Sequence, residues 1–140
     1  MADSLPPTTD AAAIASSGLQ AQQARMRVIA ENLANADSTA QTPGGAPYRR
    51  QVPVFTPKAV AGGGEGVVMS RVVPDQTPFG SEYAPGNPGA DPKGYVQLPN
   101  VNLLMEALDM QEAQRAYQAN LNVIATATEM DQSTILLIKK

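Results

Sequence analysis

Glycine and proline are distributed unevenly along this chain, and this distribution limits the possible fold more than any other feature. Ten of the 12 prolines and ten of the 11 glycines lie in residues 43–99. Residues 11–36 contain one glycine and no proline, and residues 101–138 contain neither. Because both residue types interrupt helices, the two ends can form long helices and the middle cannot.

The N-terminal stretch, about 11–36, has the spacing of an amphipathic helix. Thr9 or Asp10 can cap its start through a side-chain oxygen. Its apolar stripe advances in steps of three, four and seven, which is typical of a helix that packs along a narrow seam. Gly18 is either tolerated there or marks the close approach of another helix. The stripe comprises Ala15, Leu19, Met26, Ile29, Leu33 and Ala36, with Gln22 as its polar member.

The C-terminal stretch, about 101–138, predicts a second helix, capped by Asn100 or Asn102. At about 1.5 Å per residue it would be over about 50 Å long, so it must pair with the first helix, with other subunits or with both. Two rows repeat every seven residues, as in a coiled-coil seam with polar interruptions. They are Leu103, Met110, Tyr117, Ile124, Asp131 and Ile138, and then Ala107, Gln114, Leu121, Thr128 and Ile135.

The middle, residues 41–99, predicts short strands at Val52–Thr56, Val67–Val73 and Tyr95–Leu98, separated by turns rich in glycine and proline. One or two hairpins and long loops are expected. Because long irregular segments are unusual inside a compact domain, we expect this segment to pack on something outside its own chain. We call residues 41–99 the strap.

The predicted fold is mainly α, with paired N- and C-terminal helices that form a coiled-coil axial domain around an irregular middle containing short β-hairpins. Of the 43% of residues that are hydrophobic, 22 residues are alanine, which buries little surface. The core is therefore thin or shared with other chains. The predicted segments are an N-terminal tail at 1–10, an axial helix at 11–40, the strap at 41–99 and a second axial helix at 100–140.

Several kinds of chemistry are excluded by residue types that the chain lacks. It contains no cysteine and no histidine, which removes the thiolate nucleophile, the commonest metal ligand and the commonest general base. The glycine-rich run 62–66 lacks the Gly-Lys-Ser/Thr ending of a phosphate-binding loop. Glu106, Asp109 and Glu112 are expected to point outward as a solvated helix face. We therefore predict no enzyme activity, no catalytic residue, no metal and no cofactor.

Charge and hydropathy exclude two classes of partner. The net charge of −3 and the pI near 4.8 do not provide the basic surface that nucleic-acid binding needs. No segment has the roughly 20 apolar residues that cross a bilayer, so no membrane insertion is expected. Residues 1–24 contain no lysine or arginine, unlike the start of a secretory signal, which taken alone indicates a cytoplasmic protein.

Five short motifs resemble those of the bacterial flagellar rod and hook proteins. In the general family the first motif continues directly to Pro-Gly-Tyr, whereas here a longer segment intervenes, as in the proximal rod members. The run 133–140 and the glycine-rich turn 62–66 depart from the family pattern. The motifs are Asn32–Thr39 (NLANADST), Thr42–Arg50 (TPGGAPYRR), Asp91–Val96 (DPKGYV), Pro99–Asn102 (PNVN) and Glu112–Asn120 (EAQRAYQAN).

The resemblance implies a structural subunit of the proximal rod, the drive shaft of the flagellar basal body, which transmits torque by helical self- and hetero-assembly. It implies a periplasm-spanning location and export without a cleaved signal peptide. The implied partners are copies of itself, the rod proteins FlgB, FlgF and FlgG, the base adaptor FliE, the flagellar type III export apparatus and the surrounding ring. The alternatives are another flagellar rod protein or a cytoplasmic coiled-coil adaptor.

Two groups of site residues follow from the helix pattern and the motifs. Arginine forks can hold carboxylates or carbonyls through two-point contacts, although a solvated turn would also explain the arginine pair. The asparagines of the second helix either face water or bond to another subunit. The predicted helix-pairing and subunit-interface residues are Leu19, Met26, Ile29, Leu33, Leu103, Met110, Tyr117, Leu121 and Ile124. The predicted motif and strap-anchor residues are Asn32, Asn35, Tyr48, Arg49, Arg50 and Asn120.

Overall fold

A computed structural model describes residues 7–139, with side chains from residue 10 onward. The prediction of two terminal helices with short strand pairs between them is confirmed. Residues 1–6 of the predicted tail, and the side chain of Thr9, lie outside the described part. The elements are α1 (Pro7–Ala34), β1 (Gln51–Ala59), β2 (Glu65–Pro74), β3 (Gly80–Tyr83), β4 (Tyr95–Leu98) and α2 (Leu103–Ile138).

Helix α1 begins and ends earlier than the sequence predicts. It starts at Pro7, a residue suited to the first helical position because that position needs no backbone donor. Asp10 therefore lies in the first turn, where its charge favours the helix dipole, and the predicted cap at Thr9 or Asp10 is wrong. The helix ends at Ala34, where the backbone N–H groups of Asn35 and Ala36 bond to carbonyls three residues earlier and the Asn35 side chain donates to the Glu31 carbonyl.

Helix α2 begins where one of its two candidate caps stands. The side-chain Oδ1 of Asn102 accepts hydrogen bonds from the backbone N–H groups of Leu104 and Met105, at 3.1 and 3.2 Å. This is the geometry of an N-cap, so the prediction is confirmed for Asn102. Asn100 is used elsewhere in the fold.

The strands form two separate pairs. β1 and β2 are hydrogen-bonded neighbours joined by the short turn 60–64, and so short a connection requires them to run antiparallel. β3 pairs antiparallel with β4, with Gly80 opposite Leu98 and Tyr83 opposite Tyr95. The sequence analysis did not predict β3. Its residues, Gly-Ser-Glu-Tyr, have weak strand preference, and it is a strand through its pairing with β4.

The chain forms two compact units, and each draws on the N-terminal helix, the middle and the C-terminal helix. The first comprises the described parts of 1–26, 54–71 and 111–140, and the second comprises 27–53 and 72–110. In the first unit, the backbone N–H of Val67 donates to Ser17 Oγ at 3.0 Å, so β2 contacts α1 of its own chain. The strap therefore also packs on its own chain, and its packing on something outside the chain stays a prediction.

In the first unit, α1 and α2 run antiparallel at close range. A Cβ on Gly18 would lie 2.8 Å from Oδ1 of Asn120, and Arg25 forms an ion pair with Glu112 at 3.7 Å. As residue numbers rise along α1, those of the contacting α2 residues fall. Of the two interpretations of Gly18, the structure supports the close approach of another helix. The buried apolar residues on these two helix faces are alanines, namely Ala15, Ala21, Ala113 and Ala127.

One predicted row of α2 is offset from the buried face. Met110, Tyr117 and Ile124 of the first row are half-buried, as are Leu19, Met26 and Leu33 of α1, and Ile29 is buried. Leu103 is 53% exposed. The second row, including Leu121, is exposed throughout, so its predicted place in the seam within this chain is wrong. The row that faces inward lies one residue earlier and consists of Glu106, Ala113, Asn120 and Ala127.

The size of these side chains explains the offset. A pattern of large apolar residues favours Leu121 and Ile135, whereas a close helix approach needs small residues at the contact. Alanines and Asn120 meet that need beside Gly18, and the larger side chains remain at the surface. Whether Leu103 and Leu121 contact another subunit remains a prediction.

Close packing at Gly89 in the second unit leads to a first stability prediction. A methyl group at this position would overlap the backbone carbonyl of Ala40, which cannot move without shifting the loop. We expect Gly89→Ala to lower the free energy of unfolding by about 1–3 kcal/mol, measured by urea unfolding. Gly86 in the same loop has open space around it and is the matched control. Gly86→Ala should change stability by no more than about 0.5 kcal/mol, and equal losses would contradict the prediction.

A buried polar cluster as the candidate functional site

Asn32 is the centre of the candidate site in the second unit. It lies in the last turn of α1 and is 1% exposed. Its Oδ1 accepts hydrogen bonds from the Tyr48 hydroxyl at 2.9 Å and from the Gln51 backbone N–H at 2.8 Å. Its Nδ2 donates to the Gln51 carbonyl oxygen at 2.9 Å and to Glu106 Oε2 at 3.1 Å. All four hydrogen bonds that a side-chain amide can form are made, so Asn32 joins α1, the start of β1 and α2.

Arg50 carries the positive charge of the site. Its Nε donates to Glu106 Oε1 at 2.5 Å, its Nη1 donates to Asp75 Oδ2 at 3.2 Å, and its Nη2 lies 3.5 Å from Asp109 Oδ2. Glu106 is 0% exposed and Arg50 is about a quarter exposed, so the Glu106 carboxylate depends on this guanidinium for its neutralisation.

The position of Glu106 overturns one prediction. The carboxylate was expected to point outward as part of a solvated face, and it is instead fully buried. The predicted seam lay one residue later along α2, which placed Glu106 outside it. Its partner Arg50 lies 56 residues away, and no local spacing indicates a contact over that separation.

Arg49 contacts neutral groups. Its Nη1 donates to the carbonyl oxygens of Asp75 at 2.7 Å and Thr77 at 3.3 Å, and its guanidinium lies 4.1 Å from the ring centre of Phe79. The Asn100 side chain also binds the loop at 75–77, because its Nδ2 donates to the same two carbonyl oxygens. Its Oδ1 accepts the Arg50 backbone N–H at 2.7 Å. We refer to these residues as the polar cluster: Asn32, Tyr48, Arg49, Arg50, Asp75, Asn100 and Glu106.

The cluster shifts the ionisation of three of its groups. Burial, followed by the charges of Glu31 and Glu106, raises the pKa of the Tyr48 hydroxyl above its usual value. Burial alone would lower the pKa of Arg50, but the hydrogen bond and charge of Glu106 and then those of Asp75 raise it. The side-chain and backbone hydrogen bonds from Thr77, followed by Arg50, lower the pKa of the Asp75 carboxyl.

These shifts predict a loss of stability at both ends of the pH range. Asp75 has a lowered pKa in the folded state, so its contribution is present above about 3.9 and is lost as the pH falls through the folded value. Tyr48 has a raised pKa, so its contribution is present below about 10 and is lost as the pH rises through the folded value. Urea unfolding measured at steps from pH 3 to 11.5 checks both assignments. The loss of stability at low pH should be smaller in Asp75→Asn, and the loss at high pH should be smaller in Tyr48→Phe. Unchanged losses in the two variants would contradict these assignments.

The predicted anchor residues lie in three places. Asn32, Tyr48, Arg49 and Arg50 are brought together in the polar cluster. Asn35 instead bonds locally to Glu31 and accepts from Ser38 Oγ, and Asn120 lies in the first unit, where its Nδ2 donates to the Ala116 carbonyl. The cluster residues that sequence reasoning missed are Asp75, Asn100 as a loop closure, and Glu106. Apart from its motif, nothing in the sequence indicates that Asn32 is buried and makes four hydrogen bonds.

Within residues 7–139, no group of three or more acidic side chains is placed to hold a metal ion. Over the same described range, neither helix combines the length and apolar character needed to cross a bilayer. The carboxylates of Asp75, Glu106 and Asp109 each pair with the Arg50 guanidinium.

Comparison with known proteins gives matches at both ends of the chain. Residues 13–40 match a family described as flagella basal body rod protein, and residues 93–137 match one described as flagellar basal body rod FlgEFG protein C-terminal. Three similar proteins are named flagellar basal-body rod protein FlgC. That of Agrobacterium fabrum is 46% identical, covering 95% of this chain and 96% of its own length. Those of Borreliella burgdorferi (40% identical, 90% and 94% covered) and Escherichia coli O6:H1 (45% identical, 89% and 92% covered) agree.

The resemblance to flagellar rod proteins is confirmed by these relatives, which are all named FlgC. The Agrobacterium fabrum protein matches over 95% of this chain. The cluster is thus part of a structural rod protein and not of an enzyme. This chain belongs to the FlgC family, the structural rod subunits of the bacterial flagellar basal body.

Proposed function

We propose that this chain forms the proximal part of the rod by packing α1 and α2 as an axial coiled-coil domain against neighbouring subunits. The observation that carries the proposal is the apolar surface of α2. Leu136, Leu137 and Ile138 are 68%, 77% and 78% exposed. Further exposed apolar residues on the same helix are Leu103, Leu104, Met105, Leu108, Leu121, Val123, Met130 and Ile135. Large apolar surfaces of this kind are uncommon on soluble monomers and are typical of protein–protein interfaces.

The proposed neighbours are copies of this chain, FlgB, FlgF, FlgG, FliE and the surrounding ring, in a rod that crosses the periplasm. The chain would reach it through the flagellar type III export apparatus without cleavage of a signal peptide. Subunits in a helical array use heterologous contacts, in which different surfaces meet on each side. Torque would then be distributed over many contacts per subunit, and no single residue would carry it.

The strap contributes to this proposal through its anchorage. Its first residues are held by the polar cluster, through Tyr48, Arg49 and Arg50, on their own chain. Such anchorage fixes where the strap leaves α1, so that its exposed hairpins can lie along adjacent subunits. Leu19, Met26, Ile29 and Leu33 of α1 and Met110, Tyr117 and Ile124 of α2 would complete the axial packing.

Complementation tests the proposed function. In Agrobacterium fabrum lacking its own FlgC, expression of this chain should restore swimming, and the chain should co-purify with isolated basal bodies. Leu136→Ser combined with Leu137→Ser and Ile138→Ser should abolish swimming because the exposed apolar surface is lost. The control Glu129→Ser with Gln132→Ser changes exposed polar residues of the same helix and should swim. A soluble cytoplasmic dimer absent from basal bodies would favour the coiled-coil adaptor instead.

A further inference from the structure

Apolar packing of the inward row of α2 determines the register of the two helices only weakly. Its members, Glu106, Ala113, Asn120 and Ala127, lie seven residues apart. The neighbouring row, Met110, Tyr117 and Ile124, has the same spacing and is half-buried. A pattern that repeats every seven residues presents a similar surface after a slip of seven residues, about 10 Å along the helix axis. Apolar contacts alone would therefore tolerate more than one register.

In the second unit, Glu106 favours the observed register over one that is slipped by seven residues. Its carboxylate accepts hydrogen bonds from Asn32 Nδ2 and Arg50 Nε in a site with no solvent exposure. A slip by one heptad that brings Ala113 to this place would leave Asn32 and Arg50 without that acceptor. Each would lose a hydrogen bond to a buried carboxylate, which is unfavourable, so this slip is selected against.

In the first unit, Asn120 favours the same register over one that is slipped by seven residues. Its amide occupies the space that a Cβ on Gly18 would need, and Gly18 is the one glycine of α1. One heptad away in either direction along α1 stand Ala11 and Arg25, whose side chains would collide with that amide. Glycine is therefore needed opposite Asn120.

The two contacts are spaced alike on both helices. Fourteen positions separate Gly18 from Asn32, and fourteen separate Glu106 from Asn120. In an antiparallel pair, only one register places Asn120 opposite Gly18 while it also places Glu106 beside Asn32. A slip by two heptads places one member of one contact opposite one member of the other, Asn120 opposite Asn32 or Glu106 opposite Gly18. It therefore restores neither contact.

We propose that Glu106 and Asn120 act as register pins, which select one alignment of α1 and α2 from those that differ by seven residues. Single polar residues in a helical seam are known to specify register, and buried ion pairs add little stability compared with apolar replacements. The register determines where the exposed apolar residues of α2 lie along the helix pair. A slip would displace that surface by about 10 Å relative to α1.

Disulfide trapping in the full chain tests the pins, because the protein contains no cysteine. Arg25→Cys with Glu112→Cys reports the observed register, since these side chains form an ion pair at 3.7 Å. Arg25→Cys with Ala119→Cys, or with Met105→Cys, reports a slip of seven residues in either direction. With the pins intact, only the first pair should cross-link. Adding Glu106→Ala and Asn120→Ala makes the inward row four alanines, and the slipped pairs should then cross-link as well.

A second cross-linking experiment moves one register pin to another position on α2. Glu106→Ala with Ala113→Glu and Asn120→Ala moves the carboxylate by one heptad, so the main product should shift to the 25–119 pair. The control Gln114→Ala with Gln118→Ala alters exposed positions and should leave the 25–112 product unchanged. The proposal fails if the pinless or relocated chain, helical by circular dichroism, cross-links only at 25–112. It also fails if removing both pins abolishes the helical signal, because the residues would then supply stability and not alignment.

Discussion

Replacing Arg50 with alanine should lower the free energy of unfolding by about 3–5 kcal/mol, which is typical of removing one partner from a buried ion pair. The variant leaves the Glu106 carboxylate with no exposure and no cation, while the carboxylates of Asp75 and Asp109 remain nearby. Urea unfolding at neutral pH, followed by circular dichroism, measures the loss. The remaining donor to Glu106, Asn32, is neutral and cannot compensate for the charge.

Arg49→Ala is the matched control, since Arg49 is the adjacent arginine in the chain and occupies the same loop. Its partners are two carbonyl oxygens and the Phe79 ring, so its removal leaves no buried charge. A loss of about 1–2 kcal/mol is expected. If the two variants lose the same stability, the buried charge of Glu106 does not account for the importance of Arg50.

Asn32→Asp should be the most informative single-atom change in the cluster. It replaces the Nδ2 donor, 3.1 Å from Glu106 Oε2, with an oxygen that carries negative charge. Two carboxylates would then share a buried site, and the donor to the Gln51 carbonyl would also be lost. We expect a loss of about 3 kcal/mol or more at neutral pH, measured by urea unfolding.

The pH dependence of this variant identifies its cause. Proximity to Glu106 and burial should raise the pKa of the introduced carboxyl group in the folded state. Its protonated form therefore supports stability below about 3.9, and this support is lost as the pH rises through the raised folded value. The deficit relative to the wild type should shrink as the pH falls from 7 towards 4. Asn35→Asp, just after α1 in the same motif and away from Glu106, should show no such recovery. A constant deficit for Asn32→Asp would contradict charge repulsion.

The polar cluster resembles an enzyme site in composition but not in bonding. A buried glutamate, an arginine, a tyrosine and an asparagine are all residue types used in catalysis. Here Asn32 uses all four of its hydrogen bonds within the protein, and Glu106 is held by Arg50 and Asn32. These bonds join the end of α1, the start of β1, the loop at Asp75 and the start of α2, which suits a structural rod subunit.

Much of the local structure follows from residues close together in the chain. The glycine- and proline-poor ends form helices because nothing in them interrupts the backbone hydrogen bonds. Asn102 caps α2 as predicted because a cap needs only the next two or three residues. β4 has its predicted bounds of Tyr95–Leu98. The five motifs from both halves of the chain together indicate the family.

The tertiary structure decided which residues those helices bury. Counting large apolar side chains placed the seam of α2 on Leu121 and left Glu106 outside, whereas the close approach at Gly18 requires the smaller row one residue earlier. β3 exists because β4 lies beside it, and Glu106 is buried because Arg50, 56 residues away, neutralises it. The sequence by itself thus determined the elements and the family, which depend on near neighbours and motif spacing. Only the fold determined the buried faces and the polar cluster, because these depend on contacts between distant segments.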